Sequence, residues 1–162
     1  MKVEIRSVPL TWKEGANIIV GQTHFIKSAE DLAEIMVSSV PGVKFGLAFS
    51  EASGPCLIRT EGNDPALMED AARAAKAVGA GHTFYIVMEN AFPINVLPQI
   101  KACQEVCRVF CATANPLQIL VADTEQGGGI VGVVDGAAPK GRETSKDRED
   151  RKALLRRFGY KL

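Results

Sequence analysis

Histidine is scarce in this chain: there are two, His24 and His82, in 162 residues. Aromatic residues make up 6%, with a single tryptophan. No run approaches the ~18 apolar residues of a membrane-spanning helix, and the opening MKVEIRSV alternates like a strand and does not resemble a signal peptide. These features lead us to expect a soluble, cytoplasmic protein with no membrane partner. Lysine and arginine (19) balance aspartate and glutamate (19), so no global field draws in nucleic acid or an anionic surface. The balance is local, however: residues 140–162 hold nine basic and four acidic side chains, +5, which leaves −5 on the remainder.

Cysteine is also sparse, and its spacing excludes the usual zinc patterns, since there is no two-residue gap and no Cys/His pair. Cys103, Cys107 and Cys111 stand four apart, and with Val96, Ile100 and Phe110 they read as the buried stripe of one helix. A disulfide is not expected in a reducing compartment.

With 46% hydrophobic residues, the chain suits one domain over residues 1–162. VEIRSV and KFGLAFS alternate as half-wet strands, whereas NIIVG and HTFYIVM are continuous apolar runs that read as central strands covered on both faces. LIRT follows KFGLAFS across a hairpin loop, and LQILVAD and GIVGVVD flank TEQGGG as a second hairpin. Helices are expected after Ser28 (a cap, with Asp31 completing a partial box) and after Asp64-Pro65, ending at Gly79. A third begins near Asn95 with Pro98 in its first turn. The last begins near Thr144, buries Leu154, Leu155 and Phe158, and ends at Gly159. DGAAPKGRETSK (135–146) is expected to cross the surface. The order is β-β-α-β-β-α-β-α-β-β-α, an α/β (α+β layered) domain with a mixed sheet and helices packed on it.

Several familiar motifs fail on context. GGGIVG matches a dinucleotide glycine pattern but precedes a strand, where the motif requires a helix. GAAPKGR lacks the Lys-Ser/Thr ending of a phosphate loop. GAGH carries His82 where sugar-type kinases place a catalytic aspartate. There is no G-x-S-x-G elbow and no H-E-x-x-H.

What remains are three strand-to-helix junctions: GQTHFIKS, EGND and ENAFPIN. If their strands run parallel, Gln22, His24 and Lys27, Asn63 and Asp64, and Glu89, Asn90 and Asn95 face one crevice, with Phe25 and Phe92 as apolar walls. That set suits a nucleoside or another polar heterocycle. Glu51 and Asn115, in polar turns, are further candidates. Each has a structural alternative: caps for Asp64 and Asn95, core for the phenylalanines, a surface charge for Lys27, a satisfied structural imidazole for His24 and His82.

GQTHFIKSAEDL, KFGLAFSEASG, GND, AGHTFYI, FPIN, EVC, ATANP and LLRRFGYKL occur in this order along nearly the whole chain. Together they resemble the adenosine-specific kinase family of bacterial and archaeal proteins. The resemblance implies an α/β domain in a homo-oligomer, expected to be a trimer, with adenosine or AMP as ligand and His24 as carrier of a phosphoryl group. A kinase reading also brings in a nucleoside triphosphate donor and Mg²⁺. The alternative is a non-catalytic module that binds adenosine or AMP.

Overall fold

A strand apolar at nearly every position is stable only when both its faces are covered. In the computed structural model, which describes residues 3–162, NIIVG and HTFYIVM lie in two such strands, β2 (Asn17–Thr23) and β5 (Thr83–Glu89). The other strands are β1 (Glu4–Leu10), β3 (Lys44–Ser50), β4 (Ile58–Gly62), β6 (Val106–Thr113), β7 (Leu117–Asp123) and β8 (Gly128–Asp135). The helices are α1 (Ser28–Ser39), α2 (Pro65–Val78), α3 (Pro93–Ala102) and α4 (Ser145–Arg157). Met1 and Lys2 of the opening run lie outside the described residues. A five-stranded sheet has the order β4-β3-β5-β2-β6, and a three-stranded sheet the order β1-β7-β8. Neighbours pair antiparallel throughout both, and one isolated parallel bridge, Ala80–Gly128, links loop to strand.

Alternation along the central strands makes two cores. Ile19, Phe45, Leu47, Phe84 and Ile86 face α1 and α3, meeting Leu32, Met36, Val96 and Ile100. Ile18, Val20, Ala48, Tyr85 and Val87 face the other way, onto Leu67, Ala71 and Val78 of α2 and onto Val8, Ile119 and Val121 of the smaller sheet. The α+β layered class read from the sequence is the architecture found.

α2 is built as its ends announce. The Asp64 carboxylate accepts from the Ala66 and Leu67 N–H groups at 3.0 and 3.1 Å, Pro65 takes the first turn, and Gly79 adopts the left-handed conformation at φ 63°. The backbone of α2 lies directly on β3 at Gly46. A Cβ there would stand 2.0 Å from the Met68 nitrogen and 2.1 Å from the Leu67 carbonyl carbon. Arg6 closes the far end of α2 by donating to the Ala77 and Val78 carbonyls at 3.0 and 2.8 Å, while pairing with Asp123.

Three expectations are corrected. The cysteines do not share a helix: α3 ends at Ala102, Cys103 is its C-cap, and Cys107 and Cys111 lie on β6, an extra strand in the element order. A spacing of four puts residues on one face of a strand as well as of a helix, so the period alone was ambiguous. Ser28 does not cap α1; its hydroxyl donates to the Phe25 carbonyl at 2.6 Å and lies 2.8 Å from the Thr23 hydroxyl. α4 buries none of its residues, Leu154 and Phe158 included.

Gly46→Ala is expected to lower the unfolding free energy by roughly 3 kcal/mol, the upper end for overpacking, because backbone rather than a movable side chain occupies the space. Urea denaturation measures this; a change within about 0.5 kcal/mol would show that α2 can simply retreat.

Candidate functional site at one edge of the central sheet

β5 runs antiparallel to both β2 and β3, and β4 antiparallel to β3. β2 and β3 therefore end at one edge of the sheet, and β4 and β5 at the other. A strand of seven residues separates the edges by about 24 Å at ~3.4 Å per residue. The three junctions do not face one crevice, because the parallel direction that this required is absent.

The group at the far edge holds its own turns together. Asn63 accepts from the Phe45 N–H at 2.9 Å and donates to the Val43 carbonyl at 2.8 Å. Asp64 caps α2, and Asn95 accepts from the Phe92 N–H at 2.9 Å. Glu89 pairs with Lys13 at 2.8 Å. Asn90, at φ 58°, reaches the Gly42 carbonyl at 3.4 Å. Phe92 is exposed. Asn115 follows β6, whose end lies beside the start of β2, and donates to Asp135 at 3.1 Å.

The near edge gathers Gln22, His24, Phe25, Lys27 and Glu51, together with residues that sequence reasoning passed over. Backbone bonds stitch it laterally: the His82 N–H donates to the Ser50 carbonyl at 2.7 Å, the Thr23 N–H to the His82 carbonyl at 2.9 Å, and the His24 N–H to the Glu105 carbonyl at 3.1 Å. His82 takes a left-handed conformation at φ 60°, and its ring stacks on Phe49 with centroids 5.8 Å apart. It is a structural clasp between strands. Gln22 is half-buried at the end of β2. His24 is exposed, its ring 6.1 Å from that of Phe25, and the ring makes no hydrogen bond among the described residues.

Beneath this loop sits the buried carboxylate of Glu105. It accepts from the Cys103 thiol at 3.0 Å, the Lys27 ammonium at 3.2 Å and the Gln104 amide at 3.1 Å. These donors, the thiol foremost, hold its pKa down to about 2 against the cost of burial. Lys27 also pairs with Asp31, and both carboxylates raise its pKa. One donor atom each from Asp31, Cys103 and Glu105 lies within 4.8 Å of the others, but the Lys27 ammonium already bonds both carboxylates, so the group is an ion-pair knot with one negative charge in excess.

Two clefts flank the start of β4. The larger, about 850 Å³, lies between the β3–β4 loop, the end of α2 and the β7–β8 hairpin, and its lining includes Ser50, Glu51, Lys76, Gly81 and Ile130. The smaller, about 510 Å³, is lined by Lys27, Glu30, Arg59 and Glu61 among others. Glu51 accepts from the Leu57 N–H at 2.9 Å and from Arg59 at 3.1 Å. The Leu57 bond is the main reason its pKa lies below the ordinary carboxylate value. Among the described residues, the two buried side-chain atoms without a hydrogen-bond partner are Ser50 Oγ and Arg59 Nε. Both belong to this edge, and buried polar atoms are ordinarily satisfied. The sequence signal for Ser50, a serine closing an apolar strand just before Glu51, is weak; none singles out Arg59, and Glu105 enters only as the first residue of the EVC motif.

The chain is thus a small layered α+β protein with an exposed imidazole on a tethered loop at the same sheet edge as two clefts, the smaller of which that loop lines through Ile26 and Lys27. The family model described as adenosine specific kinase matches residues 8–161, and the chain belongs to that family. Among solved structures it is similar to the PH1918 protein from Pyrococcus horikoshii OT3, with 44% identity over 99% of each chain and a TM-score of 0.95. No curated protein matches. No helix among the described residues is long and apolar enough to cross a membrane.

Glu105→Gln tests the knot. A carboxylate with a depressed pKa contributes stability above its unfolded value of ~4.3 and loses it as the pH falls through the folded value of about 2. Thermal melts should show the wild type above the variant at pH 7, and the gap closing as the pH is lowered from about 4 to 2. A gap independent of pH would remove the ionised carboxylate as its cause.

Proposed function

We propose that this adenosine-specific kinase-like chain binds adenosine or AMP in the larger cleft and carries a phosphoryl group on His24. The observation that carries the reading is the state of the His24 ring: exposed, without a hydrogen bond, and fixed through its backbone at the same edge as that cleft. The cleft offers apolar walls for a heterocycle and, at Ser50, a hydroxyl whose hydrogen-bonding capacity is unused. Pockets of this size with few polar groups are typical of small-molecule sites.

In the first step the lone pair of one imidazole nitrogen attacks the terminal phosphorus of a nucleoside triphosphate. The N–P bond forms, and the P–O bond breaks with its electron pair leaving on the nucleoside diphosphate. In the second step the 5′-hydroxyl oxygen of adenosine attacks the same phosphorus. The N–P bond breaks, its electron pair returns to the imidazole, and the hydroxyl proton is lost to that nitrogen. The second ring nitrogen must keep its proton on an acceptor for the first to be nucleophilic. The Glu51 carboxylate, held by Leu57 and Arg59, is committed elsewhere and does not supply this.

Charge sets the requirement for transfer. A transferring phosphoryl group needs neutralising cations. Lys27 is matched by two carboxylates and Arg59 by Glu51. Mg²⁺ carried in with the donor would supply positive charge. The local excess of acid is also what favours the second reading, a module that binds adenosine or AMP without transfer.

The test is incubation with γ-labelled nucleoside triphosphate and Mg²⁺, with and without adenosine. Wild type should retain acid-labile label and pass it to adenosine, while His24→Ala retains less than about 1% of either activity, as expected for loss of a nucleophile. Equal label in both proteins removes His24 from the scheme. Saturable adenosine binding with no label in either establishes the binding module.

A further inference from the structure

α4 is a helix with little covering it: among its residues only Leu155 is half-buried. None of its residues is buried, and Leu154, Phe158 and Tyr160 are 39%, 59% and 40% exposed. It is held by local terms: a Thr144–Asp147 capping box, Lys146–Asp150, and Glu143 paired with Arg148 and Arg151. A helix of 13 residues is marginal in water on such terms alone, and most helices owe their stability to packing of an apolar face. It also lies in the segment that carries +5 on a chain otherwise at −5.

The same chain exposes a second unpartnered face. The smaller sheet turns Val8, Leu10, Ile119 and Val121 inward, so the alternate positions point out: Ile5 opposite Ala122, Ser7 opposite Leu120, Gln118 opposite Val134. Ile5 is 69% exposed and Val134 43%. Space is open over its two glycines: a Cβ at Gly129 would meet nothing within 4 Å and one at Gly132 only Leu120. It runs directly into the larger cleft, whose lining includes Ala122, Gly129 and Val131. Acidic Glu125 and Asp135 stand at its ends.

We propose that α4 of one copy seats on the outer β1-β7-β8 face of a second copy and brings its cations to that copy's larger cleft. Apolar Leu154, Leu155 and Phe158 cover the apolar sheet, and the basic segment meets the acidic body. Arg156, Arg157 and Lys161 form no ion pair among the described residues; Arg156 donates to the Lys152 carbonyl at 3.1 Å and Arg157 lies over the Phe158 ring, and neither contact neutralises the charge each can bring to a phosphate in the neighbouring cleft. The contact joins unlike surfaces, so it is heterologous, and such contacts close into rings when the rotation permits. The arrangement adds cations from outside to the single one, Lys76, that lines the cleft from its own chain. Only the role of the cations rests on the adenosine reading; the seat of α4 does not.

Light scattering at micromolar concentration tests the seat. Wild type should show a multiple of 17.4 kDa. Leu154→Asp/Phe158→Asp, which alters no buried residue, and Val134→Asp on the opposite surface should each give the single-chain mass with an unchanged circular-dichroism spectrum. A monomeric wild type overturns the proposal. So does an unchanged multiple in either variant, which would put the interface elsewhere. Titration tests the cations: Arg156→Gln/Arg157→Gln, with the mass retained, should weaken AMP about tenfold and adenosine by less than about twofold, since charge-assisted bonds act on the phosphate alone. Equal weakening of both, or of neither, overturns the role of the cations. A wild type that binds neither ligand fails the adenosine reading while the mass result stands.

Discussion

β5 runs against both of its neighbours, and the rest of the arrangement follows from that reversal. It sets the ends of β2 and β3 side by side and sends the ends of β4 and β5 to the opposite edge. Polar loops that look equivalent along the chain are thereby sorted into two groups a strand length apart. Because β5 enters the sheet between β3 and β2, its first turn can clasp both: His82 receives Thr23 on one side and reaches Ser50 on the other. The left-handed backbone at His82 is a conformation that a non-glycine residue adopts only when its surroundings impose it. Bonds to both neighbours and the stack on Phe49 are what impose it.

The near edge is held by electrostatics as much as by packing. Glu105 is buried and ionised, a state that is costly unless every lone pair is met. Thiol, ammonium and amide meet three of the roughly four lone-pair sites, while the Glu105 carbonyl fixes the His24 backbone. The consequence is a division of labour. The one lysine of the GQTHFIKS loop is engaged in holding that loop, so its charge is matched before any ligand arrives. Cations without an ion pair among the described residues include Lys76 on the cleft wall and Arg156, Arg157 and Lys161 in the last segment, whose helix buries none of its residues fully.

How much of this was legible varies with the range of the physics involved. Local rules carried α2 from its cap to its C-terminal glycine, because Asp64, Pro65 and Gly79 each act within a turn of their own backbone. Burial patterns carried β2 and β5 to the sheet interior. The two hairpins, β3–β4 and β7–β8, were read correctly, but the direction of β2 relative to β4 and β5 was not legible, because strand order in the sheet is set by contacts distant in sequence, and the crevice expected from parallel junctions failed on that point. The Cys107/Cys111 period misled because four residues return to the same face in both helix and strand. Ser28 showed a cap signature that a tertiary bond to Thr23 overrode. Glu105, Arg59 and Ser50 owe their interest to burial and partners, which no spacing encodes. His24 was singled out by its scarcity and by resemblance of its flanking residues, and geometry now gives it a setting.

That setting places a demand on the rest of the assembly. A phosphoryl group on nitrogen hydrolyses readily in water, so a carrier histidine needs its loop covered while the group is held. In the single chain the cover is missing: Phe25 and Ile26, the residues after His24, are 49% and 38% exposed, and Leu57 at the cleft wall is 50% exposed. Apolar side chains grouped beside a polar centre are the usual mark of a surface meant to be covered. Within one chain the loop is anchored from below through Glu105 and left open above. Ligand binding alone can close the cleft, but it does not reach Phe25 and Ile26, which line no part of it. If His24 carries a phosphoryl group, its protection from water has to come from a surface laid over Phe25 or from a ligand in the smaller cleft, which Ile26 lines.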